Sequence, residues 1–375
     1  MVAAFQLDSA VREARARTRV PGVAAGLSVA GEATAVADGV LELGRPERVR
    51  VDTSFRIASV SKPFTAALAA ACLPLEGRIV ALLGHTAGLR QESERPLPRQ
   101  VEGLWSYSNS GYWRAGALCA DACGTSFAEA MRARVLEPLG LRSTGYEEPE
   151  APARGHVQEG ETGHRPVPDD RYPAERWPSG GLWSTVGDLL RFGERQLEAR
   201  LPLFEPRADA LGARYALGWW VRTRADGATV YDHEGSVAGY QSLLLLVPEQ
   251  RIALVVLTNS WRGSGLVRRV VARLGLLPGG RLPQRSGEAP PGDVAGTYAL
   301  DGTEAVVEPR GDGLDVTETE TDPVAGVRRS TRYPAEPLGG GVYGFAGGVL
   351  MSHRLDFPRP GVARIGWTAM LRAER

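Results

Sequence analysis

The sequence predicts an α+β fold in which helices flank an antiparallel sheet, with a mostly helical subdomain and a small all-β C-terminal domain. Two pairs of short apolar runs predict the sheet, one near residues 23–40 and one near residues 241–258. Strands from both ends of a domain can share one sheet that helices cover. Residues 293–375 hold short β-like runs separated by glycines, which is typical of a separate small β domain.

Each element of the first domain, predicted over residues 1–277, follows from a local pattern. Residues 6–18 are amphipathic at helical spacing and end at Pro21-Gly22, which predicts a first helix. Turn residues separate the apolar runs of each pair, so each pair predicts a β-hairpin. The predicted strands are residues 23–30, 33–40, 241–248 and 251–258, and residues 265–277 are predicted to be helical.

Residues 278–292 are rich in proline and glycine and predict a linker. After it, the spacing of the runs predicts a small antiparallel barrel or a sandwich. The runs are residues 296–300, 305–308, 314–319, 341–345 and 362–371. A Gly-Thr-Tyr triplet that opens this domain resembles the start of lipocalin-like appendages.

Bulk composition excludes some partners. The formal net charge is +0 with a pI near 7.0, which favours neither nucleic acid nor an anionic membrane as a partner. Charged residues interrupt the N-terminal segment, so the sequence predicts no signal peptide or membrane anchor. Cys72, Cys119 and Cys123 are too few for a disulfide framework and lack zinc partners. They predict buried thiols and a reducing, cytoplasmic location.

The most informative residue is Lys62, the one lysine among 44 basic residues. Arginine stays protonated near neutral pH, whereas a desolvated lysine can lose its proton. Ser59 stands three residues earlier, so the two side chains share one face of a helix. Pro63 predicts that this helix begins near Ser59. A helix N-terminus also offers a free N–H to an oxyanion. The alternative is a surface Ser and Lys at helical spacing, left by a general bias towards arginine.

Two further motifs follow in the chain. Tyr107-Ser108-Asn109 contains one of only two asparagines, and His233-Glu234-Gly235-Ser236 lies just before the second predicted hairpin. The alternatives are a buried tyrosine with a turn asparagine, and a histidine held in the core. In this order, Ser-x-x-Lys, Tyr-x-Asn and His-x-Gly resemble the serine β-lactamase and penicillin-binding superfamily. The chain is most similar to its class C-like branch, which also holds carboxylesterases, D-amino-acid peptidases and amide hydrolases.

The resemblance implies a role for each matched residue. Ser59 would be the nucleophile, and Lys62 and Tyr107 would move its proton. Asn109 and His233 would orient these groups, Gly235 would let substrate backbone approach closely, and the N–H groups of Ser59 and Ser236 would form the oxyanion hole. The resemblance also implies a shortened segment between Lys62 and Tyr107, and hence a more open cleft.

The sequence therefore predicts a serine hydrolase that forms an acyl-enzyme on a small ester, amide or peptide substrate. It implies no metal and no organic cofactor, and it leaves the oligomeric state open. The enzymatic alternative is a β-lactamase or D-Ala-D-Ala carboxypeptidase. The alternative from another class is a non-catalytic scaffold that keeps the penicillin-binding fold.

Overall fold

A computed structural model describes residues 2–159, 163–167, 172–199, 202–277, 293–300, 303–321, 328–345 and 354–373. The helices of these residues are α1 Val2–Thr18, α2 Ser61–Cys72, α3 Gly77–Leu83, α4 Asn109–Cys123, α5 Phe127–Met131, α6 Trp177–Gly180, α7 Val186–Ala199 and α8 Gly263–Arg273. The strands are β1 Gly22–Val29, β2 Glu32–Gly39, β3 Phe55–Arg56, β4 His156–Glu159, β5 Gly163–Pro166, β6 Trp183–Ser184, β7 Ala208–Ala210, β8 Ala213–Tyr215, β9 Trp220–Thr223, β10 Thr229–Val237, β11 Tyr240–Val247, β12 Ile252–Thr258, β13 Gly296–Leu300, β14 Thr303–Arg310, β15 Gly313–Thr321, β16 Arg328–Gly339, β17 Val342–Phe345, β18 Arg354–Arg359, β19 Val362–Ile365 and β20 Thr368–Arg372.

The chain divides into two units. The first contains residues 1–84, 109–207 and 215–280, and the second contains residues 85–108, 208–214 and 281–375. The predicted α+β class with an all-β C-terminal domain is confirmed. The predicted linker, residues 278–292, lies outside the described residues.

An antiparallel sheet forms the centre of the first unit, with strands in the order β2-β1-β12-β11-β10-β9. The two hairpins predicted from the apolar runs are confirmed as β1–β2 and β11–β12. Helices α1 and α8 pack their apolar residues on one face of this sheet, where alternate strand residues such as Val23, Leu245 and Val256 are buried. Helix α7 covers the other face, where Gly193 brings it close to β11 and β12. Phe64 of α2 stacks on Phe192 of α7, with ring centroids 3.8 Å apart, and so ties the helical region to the sheet.

In the second unit, β13 to β20 close into an antiparallel barrel in chain order. Its interior is apolar and includes Tyr298, Leu314, Val316 and Leu355. Residues 362–371, predicted as one strand, instead form the hairpin β19–β20.

Strands β16 and β18 are absent from the sequence prediction because both contain proline, which argues against a strand. Pro337 and Pro358 lie at irregularities in the ladder, one between Pro337 and Gly339 and one between Asp356 and Arg359, while Pro334 pairs with Asp315 in regular register. A β-bulge tolerates the missing N–H donor of proline.

The prediction for the cysteines is wrong in one respect. Cys72 and Cys123 form a disulfide with a Cα–Cα distance of 6.4 Å, while Cys119 is buried and free. Spacing along the chain does not reveal this pair, because the bridge depends on the packing of α2 against α4. Both helices end at their cysteine. The prediction of a reducing location depended on three free thiols, so the disulfide removes its basis.

Candidate active site

Ser59 lies in a tight turn at the entrance to α2. The turn is a 3₁₀ segment, Ala58–Val60, and α2 begins at Ser61, so the regular helix starts two residues later than predicted. Ala58 adopts a left-handed conformation with φ +46°, which costs an L-residue about 1–2 kcal/mol. Ile57 N–H donates to Leu182 O over 3.0 Å on the preceding side of the turn. The turn holds Ser59 half-buried, while the residues on either side of it are buried.

Lys62 is fully buried, and its Nζ lies among three hydrogen-bonding oxygen atoms. The distance is 3.2 Å to Ser59 Oγ, 2.7 Å to Asn109 Oδ1 and 2.8 Å to Ser179 O. Asn109 is the first residue of α4, so the amine bridges the start of α2, the start of α4 and the short helix α6. The structure thus brings three residues of two separate motifs to one point.

The carbonyl of Ser179 is the contact that the sequence does not predict. Ser179 lies in α6, which Thr65 Oγ1 also holds by donating to Pro178 O over 2.7 Å. On the α4 side, Gly116 lies so close to Pro178 that a Cβ there would come within 2.3 Å of the proline ring. A backbone carbonyl has no side-chain signature, so no sequence signal marks Ser179.

Gly235 lies on β10 directly against the turn of Ser59. A Cβ at Gly235 would lie 2.1 Å from Ile57 O and 2.3 Å from Ser242 Oγ, and Ser242 Oγ itself donates to Ile57 O over 2.7 Å. The absence of a side chain at Gly235 therefore lets the turn of Ser59 lie directly against β10. The next residue, Ser236, is exposed and pairs with Gln241 across the hairpin, and Gln241 Nε2 donates to its hydroxyl over 2.6 Å.

His233 is buried in the same strand. Its Nδ1 lies 2.7 Å from Glu234 O, a pure acceptor, so Nδ1 carries the proton and Nε2 accepts from Tyr215 Oη over 3.1 Å. Burial lowers the pKa of His233 to about 3, and the nearby positive charge of Lys62 acts in the same direction. The imidazole is therefore neutral at pH 7.

The other face of this part of β10 carries buried charge. Asp232 is fully buried and lies 3.3 Å from Arg222, Oδ1 to Nη1. Burial raises the pKa of Asp232 to about 6 and that of Glu234 to about 7. Among the described residues, Glu234 Oε1 has no hydrogen-bond partner.

Tyr107 and Ser108 belong to the second unit, since the boundary falls between Ser108 and Asn109. Tyr107 is 8% exposed. Its ring centroid lies 4.4 Å from that of His85 and 5.5 Å from that of Trp367. His85 has a φ of +59°, accepts the Ser108 N–H at Nδ1 over 3.0 Å and accepts the Ser106 N–H at its carbonyl over 2.9 Å. These contacts give His85 a structural role in the turn that carries Tyr107.

A second serine, Ser61, could be mistaken for the nucleophile. It is 1% exposed, and its hydroxyl accepts the Leu182 N–H over 3.2 Å. Its contact therefore stabilises the turn.

Comparison with known proteins shows the family of the chain. The family model described as Beta-lactamase matches residues 7–79 and 76–276, so the chain belongs to the β-lactamase family. This family generally consists of hydrolytic serine enzymes.

Individual proteins are similar over most of the chain. Penicillin-binding protein 4 from Amycolatopsis lactamdurans is 27% identical over 365 residues, which covers 77% of this chain and 95% of the relative. The crystal structure of SurE has a TM-score of 0.74 at 24% identity and covers 98% of this chain and 99% of its own. A class C β-lactamase from Rhodobacter sphaeroides has a TM-score of 0.63 at 19% identity over 72% of this chain and 98% of its own.

Within the described part of the chain, no helix combines the length and the apolar character that a bilayer crossing requires.

Proposed function

We propose that this protein is a serine hydrolase that forms an acyl-enzyme at Ser59 on esters or on small amides and peptides. The observation that carries the proposal is the buried Lys62 amine, 3.2 Å from Ser59 Oγ. A serine hydroxyl is a weak nucleophile that needs an adjacent base. Lysine can supply that base in its neutral form, whereas arginine cannot.

The hydrogen bonds around Lys62 support this role. A neutral amine has two N–H donors and one lone pair, while a hydroxyl can donate or accept. The two shorter contacts, at 2.7 and 2.8 Å, go to Asn109 Oδ1 and Ser179 O, which can only accept. The longer contact goes to the Ser59 hydroxyl, which can donate. In the neutral form, Asn109 and Ser179 therefore take both N–H groups, and the lone pair faces the proton that Ser59 loses.

The proposed reaction has two half-steps. Ser59 Oγ forms a bond to the substrate carbonyl carbon, and its proton passes to the neutral amine of Lys62 or to the phenolate oxygen of Tyr107. The bond to the leaving group then breaks, and the leaving group departs with a proton from the same pair. Water then attacks the acyl group, loses a proton to this pair and releases Ser59 with its proton restored. The backbone N–H groups of Ser59 and Ser236 would stabilise the oxyanion in both half-steps. Hydrogen-bond donors contribute most to the rate when they face the charge that develops in the transition state.

His233 supports the preference for esters and small amides over β-lactams. A neutral, buried imidazole offers no positive charge to the carboxylate of a penicillin or a D-Ala-terminated peptide. Its contacts to Tyr215 and Glu234 hold it inside the strand. We therefore expect a β-lactam to be turned over less readily than a short-chain ester.

The test is kcat/KM for p-nitrophenyl butyrate beside that for nitrocefin, with Ser59→Ala and Ser61→Ala as a matched pair. The ester should be hydrolysed, and this activity should be lost in Ser59→Ala and largely retained in Ser61→Ala. A nitrocefin value far above the ester value would favour the β-lactamase alternative. Failure of the folded wild type to hydrolyse any ester, D-peptide or β-lactam of a panel would favour the non-catalytic scaffold.

A further inference from the structure

Trp367 lies at the tip of the hairpin β19–β20 of the C-terminal barrel. Ile365 and Thr368 are paired, so Gly366 and Trp367 alone make the loop. Gly366 has a φ of +58°, a conformation that glycine adopts without strain. The Trp367 side chain is half-buried.

Trp367 contacts Tyr107 through its backbone and through its ring. The Tyr107 N–H donates to Trp367 O over 2.9 Å, and the two rings lie 5.5 Å apart at an interplanar angle of 46°. The Trp367 ring also lies 6.5 Å from that of Trp105. The hairpin tip therefore holds both the backbone and the ring of Tyr107.

Neighbouring contacts make this attachment rigid. Ala369 N–H donates to Ser106 Oγ over 3.3 Å, and Thr368 Oγ1 donates to Gln91 Oε1 over 3.3 Å. Below them, an apolar cluster joins the barrel to the segment 85–108 through Val362, Ala369, Leu97 and Val101. The loop that carries Tyr107 is thus fixed on the barrel side at several points.

On its other side, the Tyr107 ring lies 4.4 Å from the ring of His85, which also binds the N–H groups of Ser106 and Ser108. Two aromatic rings and a set of backbone hydrogen bonds therefore restrict the phenol. Proton transfer requires this restriction, because a displacement of about 1 Å at a reacting group can cost on the order of 10²-fold in rate.

We propose that Trp367 is a positioning residue for Tyr107, so that the C-terminal barrel helps to hold the phenol of Tyr107 in place. This inference depends on the proposed function, because it needs Tyr107 to act in proton transfer. It goes beyond that function by assigning a role in the reaction to a residue of the appended barrel.

The experiment is a double-mutant cycle on p-nitrophenyl butyrate with Tyr107→Phe, Trp367→Ala and the two combined. Tyr107→Phe keeps the ring and removes the hydroxyl, and we expect a loss of about 10²–10⁴-fold in kcat. Trp367→Ala should lower kcat by about 10- to 100-fold with little change in KM, and Trp367→Phe should restore most of it. If Trp367 acts through Tyr107, adding Trp367→Ala to Tyr107→Phe should cost less than about 3-fold more.

Phe357→Ala is the matched control, because Phe357 contacts Tyr298 and Tyr343 within the same barrel. It should lower stability without changing the pH profile of kcat/KM, whereas Trp367→Ala should shift that profile by exposing the phenol to water. Losses that multiply in the double mutant, or a Trp367→Ala enzyme with unchanged kcat and pH profile, would overturn the positioning role alone. A Tyr107→Phe enzyme at full rate would overturn the role of Tyr107 in the proposed function, and the positioning role with it.

Discussion

The disulfide between Cys72 and Cys123 closes a loop of 51 residues that contains Tyr107 and Asn109. In the chain-entropy description, closing a loop of this length destabilises the unfolded state by about 4 kcal/mol at 25 °C. We therefore expect the double variant Cys72→Ser/Cys123→Ser to lose about 2–4 kcal/mol in free energy of unfolding, since native-state effects reduce the entropic figure. Activity at 25 °C should change little, because the Lys62–Asn109 hydrogen bond joins α2 and α4 at their other ends.

Urea unfolding followed by circular dichroism measures this free energy. The control is reductant, which should destabilise the wild type to the level of the double variant and leave the double variant unchanged. Titration of thiols in denatured, unreduced wild type should find one, from Cys119. Three titratable thiols, or equal stability of wild type and double variant, would refute the disulfide and the reasoning built on it.

Three further predictions concern the site. Lys62→Arg should lower kcat by about 10²–10⁴-fold, the range for loss of a general base. It should also lower the melting temperature, because the larger side chain must fit a fully buried position. A Lys62→Arg enzyme with near-full turnover would contradict the base role. Gly235→Ala should displace the turn of Ser59 and lower kcat by about 10²-fold. Gly187→Ala is the control and should leave kcat unchanged, because no neighbouring atom of the described residues lies within 4 Å of its added Cβ. Equal activity of the two variants would contradict the close packing at Gly235. The raised pKa of Glu234 means that its ionisation opposes folding, so the wild type should lose stability relative to Glu234→Gln as the pH rises from about 4.5 to about 7. Thermal unfolding across that range measures the difference, with the exposed Glu198→Gln as control, and a difference that does not grow with pH would contradict the burial of the carboxyl.

Local patterns predicted β1, β2, β11 and β12 of the sheet in the first unit, but not β9 and β10. The hairpins β1–β2 and β11–β12 follow from apolar runs between turn residues, and such signals are short-range. The barrel was predicted in part, since the prolines of β16 and β18 hide two strands and Gly366 divides a third. The disulfide was missed because it depends on tertiary packing.

The candidate site also has one part that the sequence predicts and one part that it does not. Ser59, Lys62 and Asn109 carry side chains of rare type or telling spacing, and the structure brings them together. Ser179 contributes only a carbonyl, and Ala58 only a left-handed backbone conformation. Neither a backbone carbonyl nor a backbone conformation depends on a particular residue type here, so sequence patterns cannot reveal these two features. Trp367 was missed because it lies 260 residues after Tyr107 in the chain.

The central claim is that Lys62 activates Ser59 for attack on a carbonyl or an equivalent electrophile. The most direct measurement is intact-mass analysis of the full chain after treatment with a fluorophosphonate, followed by peptide mapping of the adduct. We expect one adduct, on Ser59, which is absent in Ser59→Ala, present in Ser61→Ala and slow to form in Lys62→Arg. An adduct on Ser61, or no adduct in folded wild-type protein, would contradict it.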